Sequence, residues 1–133
     1  DIGYYAFLWV FSGWPSSVAT WDLLFLLPAP WAGPVWAPIA VSAALIGFGL
    51  ACVGRLRAGA SVRFDRRHLG ALLLGGAIII ASFLTNAALV LEGGTPTDFA
   101  WPIFLAGLAI GMGTAWLALR PRGATGEPSR PAE

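Results

Sequence analysis

The sequence predicts an all-α integral membrane protein: a small bundle of about four transmembrane helices, the first represented only by its outer end, plus a short interfacial or re-entrant helix. Three observations predict it. Hydrophobic residues fill 57% of the 133 positions and charged residues 11%, with a mean hydropathy of +0.73, a balance too apolar for a soluble domain. Three windows are long and charge-free enough to cross a bilayer, since about 20 residues rising roughly 1.5 Å each cover a hydrocarbon layer of about 30 Å. The basic residues are all arginines and gather in two short stretches, Arg55 to Arg67 and Arg120 to Arg130. That distribution marks membrane sidedness and offers no continuous basic face to a nucleic acid.

Taken in order, Ile2–Phe11 is strongly apolar but too short to span before Ser12-Gly13-Trp14-Pro15 interrupts it. Residues 2–13 are therefore expected to be the outer end of a helix that begins upstream, since position 1 is Asp rather than Met. No basic segment precedes the run, so it does not have the form of a signal peptide.

Residues 14–34 form a Trp- and Pro-rich connection. Trp21–Leu27 predicts the short helix, capped near Thr20 or Asp22 and either lying flat in the headgroup region or re-entering the membrane. Pro28, Pro30, Pro34 and Pro38 then predict an extended segment leading to the next span. The stretch Trp21–Trp31 followed by Gly33-Pro34 is distinctive, but no activity attaches to it.

The second span, Val35–Val53, carries no charge and places Pro38 in its first turn, where a missing N–H costs nothing. The third, Leu69–Leu91, would be about 34 Å long as one helix, with Ser82, Thr85 and Asn86 as its polar side chains. The fourth, Trp101–Leu119, opens with Pro102 and closes at Arg120-Pro121. Residues 1–119 thus make one transmembrane domain, and 120–133, rich in Pro, Gly and charge, are expected to be a disordered cytoplasmic tail.

Orientation follows from the loops. In residues 54–68, Arg55, Arg57, Arg63, Arg66 and Arg67 are opposed only by Asp65, whereas the next loop holds Glu92 and Asp98 and no base. The positive-inside rule places the arginine loop and the C-terminus in the cytoplasm and the Glu92–Ala100 loop outside, as expected in a bacterial cytoplasmic membrane. Trp14, Trp21, Trp31, Trp36 and Trp101 then all fall at the outer boundary, where indoles prefer to sit, and Trp116 near the inner one.

Candidate sites are few. His68 is the single histidine; it could ligate haem iron or chlorophyll magnesium, but its place in Arg66-Arg67-His68 fits a collar of Arg55, Arg57, Arg63, Arg66 and Arg67 meeting lipid headgroups. A bis-histidine haem is impossible from one chain, Met112 lies too deep to join His68, and Cys52 alone supports neither a disulfide nor a cysteine-based metal centre. Ser82 and Asn86, four apart, share a helix face and are expected to hydrogen-bond a neighbouring helix or a ligand, because an unpaired amide is costly in lipid. Gly107 and Gly111 form a GxxxG step, with Gly47, Gly49, Gly70, Gly75 and Gly76 on the other spans, and fit close helix packing. Trp14, Trp21, Trp31 and Trp36 are candidates to line a cavity for a lipid-soluble cofactor.

The carboxylates stand at or beyond span ends, there is no phosphate loop, and the one histidine precludes a Ser/His/Asp set or an HExxH zinc motif. The sequence therefore predicts no enzyme. It points to an accessory or scaffolding subunit of a larger membrane complex, such as an energy-converting one, with other transmembrane subunits and membrane lipids as partners. The alternatives are a binding module for quinone, carotenoid or chlorophyll, and a small transporter subunit; no haem or metal site is supported by this chain alone.

Overall fold

A computed structural model describes residues 1–120, so the tail expected to be disordered lies, apart from Arg120, outside the described residues. Of these, 63% are helical. Helix α1 is Ile2–Ser12, strands β1 and β2 are Trp21–Phe25 and Trp31–Pro34, and α2 is Trp36–Arg57. The chain continues through α3, Arg66–Leu84, a five-residue α4, Ala87–Leu91, and α5, Trp101–Leu119. Three helices, α2, α3 and α5, are long and apolar enough to cross a membrane.

The helix expected over Trp21–Leu27 is a strand. β1 pairs antiparallel with β2, in the register Trp21 opposite Pro34, Asp22 opposite Gly33 and Leu23 opposite Ala32, with an irregularity before Phe25 meets Trp31. The prolines explain it: they bar a helix through 28–34, so β2 must be extended, and an extended segment exposes amides and carbonyls that a neighbouring strand satisfies. The ladder continues past both strands, with the Val35 amide donating to Thr20 O at 2.9 Å and the Trp36 amide to Val18 O at 3.0 Å. The hairpin is thereby seated directly on the first turn of α2.

The third span also departs from expectation. The helix starts at Arg66, earlier than Leu69, and ends at Leu84, with α4 offset beyond it. Side-chain hydroxyls compete for the ladder there: Ser82 Oγ donates to Ile79 O at 2.6 Å and Thr85 Oγ1 to Ser82 O at 2.8 Å, after which Asn86 takes the cap position of α4. At the opposite end, α2 runs four residues past Val53, so Arg55 and Arg57 occupy its last turn, where cations oppose the helix dipole.

The core sits at the hairpin end rather than midway along the helices. Phe83, Phe99, Phe104 and Ala37 are buried, and Trp21, Trp31, Trp36 and Trp101 close over them. Trp36 and Trp101, from the starts of α2 and α5, stack with ring centroids 4.1 Å apart and planes 8° from parallel. Below this aromatic plug, α3 and α5 pack along their length, whereas α2 touches α5, α1 and β2 more lightly.

Candidate functional site

The α3–α5 seam is built on glycine. A Cβ on Gly107 would fall 2.7 Å from Gly75 O and 2.9 Å from Ile79 N, and one on Gly75 would fall 2.9 Å from Gly107 O. Gly107 thus lies against the backbone of α3, with Gly75 as its counterpart. Gly111, the other half of the GxxxG step, has open space where its Cβ would be. It lies instead along an apolar groove of about 290 Å³ between α2 and the α3–α5 pair, beside Gly75, Gly76, Phe48 and Met112. A second groove of about 310 Å³ shares Val41, Gly76 and Ile79 with the first and reaches Trp31 and Phe83 below the hairpin.

Ser82 and Asn86 do not form the expected joint hydrogen-bonding face between helices. Ser82 is fully buried but spends its hydroxyl on its own helix. Asn86 is not inside a span: its Nδ2 donates to Asp98 O at 3.0 Å, tying the loop before α5 to the end of α3. A polar residue just after a run of apolar ones has this second use, closing a loop, which residue spacing alone does not reveal.

The four tryptophans expected to line one cavity separate. Trp14 stands against Tyr5 of α1, with centroids 6.1 Å apart. Trp36 is spent in the stack on Trp101. Trp21 meets Phe99 edge-on at 6.2 Å and borders a surface cleft with Asp22, Val90 and Pro96. Trp31 meets Phe25 at 5.1 Å and borders the second groove. The rings mainly fill a core. Asp22 helps hold this end together, accepting a 2.8 Å hydrogen bond from Tyr5 Oη.

His68 caps α3. Asp65 Oδ1 accepts from the His68 amide at 2.9 Å, and His68 Nδ1 lies 2.7 Å from the same carboxylate oxygen and 3.4 Å from the Asp65 amide. One nitrogen serves one of these at a time, donating to the carboxylate when protonated and accepting from the amide when bare. The amide hydrogen bond from His68, more than any other influence, holds the Asp65 carboxyl below its ordinary range. Among the described residues no three of His, Cys, Asp and Glu gather closely enough to hold a metal ion.

The arginines divide into two groups that the sequence treats as one collar. Arg57, Arg66 and Arg67 are exposed at helix ends. Arg55 and Arg63 instead line a cavity of about 420 Å³ with Ala60, Ser61, Leu117, Ala118 and Arg120. No family model, curated protein or solved structure matches the chain.

Proposed function

We infer that the chain is a non-catalytic subunit that holds together transmembrane helices of a larger membrane complex, with α2 as the seat for its partners. One observation carries this reading. Of the 22 residues of α2 only Ala37 and Pro38 are buried, and Ala43, Gly47, Ala51 and Gly54, which follow one another at helical spacing, are exposed. Lipid tails pack as well on leucine as on alanine, so a column of small residues gains its value from another helix approaching closely. Large apolar side chains beside it, Leu45, Ile46, Leu50 and Val53, are exposed as well and supply the flanks of such a contact.

In this reading the arginine-bearing ends face the cytoplasm of a bacterial cell, the hairpin faces outward, and α1 is the outer end of a fourth span. The test is purification in mild detergent: co-purifying membrane subunits are expected, and Gly47→Leu with Ala51→Leu should release them while leaving the chain's own thermal stability unchanged. A monodisperse, stable monomer in that detergent overturns the reading.

The glycine-floored groove favours a second reading, a module for a flat or linear lipid-soluble molecule such as a quinone, carotenoid or chlorophyll. Apolar walls with little polar surface suit such a ligand. An absorption spectrum and an organic extract of the purified protein separate the two, since an empty extract leaves the groove to a helix or to bulk lipid.

A further inference from the structure

The arginine-lined cavity at the other end of the molecule has a different chemistry. Its three guanidinium groups come from three places: Arg55 from the last turn of α2, Arg63 from the loop before α3, and Arg120 from the end of α5. Arg120 is held by its neighbour, its Cζ lying 3.5 Å from the centre of the Trp116 ring, a cation–π contact that aims the group without neutralising it. Arg55 carries the sharper signal, because its Nε is buried and, among the described residues, has no hydrogen-bond acceptor. A buried N–H on a charged group left in that state is costly, so an acceptor is called for.

The loop's own acid does not supply one. Asp65 is committed to capping α3 through His68, and among the described residues Arg55, Arg63 and Arg120 form no ion pair. Ser61 adds a hydroxyl donor to the wall, and Leu117 and Ala118 make its remaining side from the last turn of apolar α5. We propose that this cavity binds the phosphate of an anionic membrane lipid, seating the phosphate oxygens on the three guanidinium groups and leading the attached acyl chains away along α5. The arrangement matches the ligand: guanidinium pairs phosphate through two parallel hydrogen bonds, and the cavity lies where apolar helix gives way to polar loop, the depth of a headgroup. The site is independent of whether partner helices cover α2.

The experiment is lipid retention by the full chain in mild detergent, followed by native mass spectrometry as phosphatidylglycerol or phosphatidylcholine is added. One phosphatidylglycerol per chain should be retained and phosphatidylcholine should wash off. Replacing Arg55, Arg63 and Arg120 together with Gln should weaken retention about tenfold or more, the scale of losing charge-assisted hydrogen bonds. Arg57→Gln, Arg66→Gln and Arg67→Gln together remove the same charge from outside the cavity and should leave retention near wild type. Equal weakening by the two triples means a diffuse electrostatic collar and overturns the proposal. Arg63→Gln alone, an exposed loop change with little bearing on folding, should reduce retention several-fold and serves if the first triple misfolds; unchanged retention in it overturns the proposal too. Inorganic phosphate that stabilises the chain while no phosphatidylglycerol is retained would assign the cavity to a free anion and overturn the lipid assignment.

Discussion

Gly75 on α3 and Gly107 on α5 approach so closely that a Cβ added to either would lie within 2.9 Å of the other's carbonyl oxygen. The obstacle is backbone on both sides, which cannot swing aside as a side chain tip can. Gly107→Ala should therefore push the helices apart and destabilise the chain by about 1–3 kcal/mol, the usual scale of overpacking. Gly111→Ala meets nothing within 4 Å and gains roughly 0.5–1 kcal/mol of helix propensity, so it should be neutral or mildly stabilising. Thermal melting of both variants in detergent checks the pair; equal losses would mean the seam is not where close approach matters.

A second close approach holds the hairpin down. At Gly33 a Cβ would fall 2.6 Å from Phe83 Cε1 and 3.2 Å from Phe99 Cε2, and both rings are buried in the core. With nowhere to rotate, they should be displaced by Gly33→Val, which is expected to cost about 1–3 kcal/mol and to raise protease sensitivity between Val18 and Pro34. Gly3→Val, with nothing within 4 Å of its Cβ, is the matched control and should change neither.

The contrast between these glycines and the hairpin they support shows what residue order conveys. Runs without charge are visible directly, and the helices over 36–57 and 101–119 fall within a few residues of the spans expected from them, whereas the third stops at Leu84, short of the expected Leu91. Trp21–Leu27 was ambiguous in principle, because a short apolar run has the same composition as strand or as buried helix and is too short for its period to decide. What decided it was a partner, β2, that proline forced to be extended. Asn86 and Ser82 share a helical face only if the helix continues, and the competing hydroxyls that end α3 are a tertiary balance invisible in spacing. Arg120 joining Arg55 and Arg63 is likewise a product of how α5 packs, since these residues lie far apart in the chain.

The Asn86 tether makes a separate prediction. Its amide hydrogen-bonds the loop that leads into α5 to the end of α3, so Asn86→Leu should loosen residues 92–100 while leaving α3 and α5 intact. A partly exposed hydrogen bond of this kind contributes about 0.5–1 kcal/mol. Limited proteolysis should cut the variant faster between Gly93 and Phe99 at unchanged helical content. Wild-type cleavage rates would show that the loop is held by Phe99 in the core rather than by Asn86.

The cap on α3 should respond to acid. The folded-state pKa of Asp65 is lowered from 3.8, first by the hydrogen bond from the His68 amide, so the carboxylate is favoured by folding. The stability it contributes is fully present above the unfolded value and is lost as pH falls from there through the lower folded value. Asp65→Asn keeps a capping oxygen but removes the titration, so the variant should lose less stability than wild type when melting is followed downward from pH 5. Parallel curves for the two proteins would remove Asp65 from the acid response.

The sidedness of the chain yields the last prediction. A guanidinium carried across a bilayer is costly, and loops dense in arginine are retained on the cytoplasmic side. The loop that holds Arg63 has four other arginines or arginine-bearing helix ends beside it, Arg55, Arg57, Arg66 and Arg67, whereas the loop that holds Thr95 has only the acids Glu92 and Asp98. With Cys52→Ala removing the native thiol, an Arg63→Cys variant in intact bacterial cells should resist a membrane-impermeant maleimide and react after lysis, and Thr95→Cys should react in both conditions. Because three helices separate as α2, α3 and α5, the two loops flank α3 at opposite ends and must give opposite results if that helix spans. Identical labelling of the two cysteines would mean that α3 does not cross the membrane, and labelling of Arg63→Cys alone would invert the orientation.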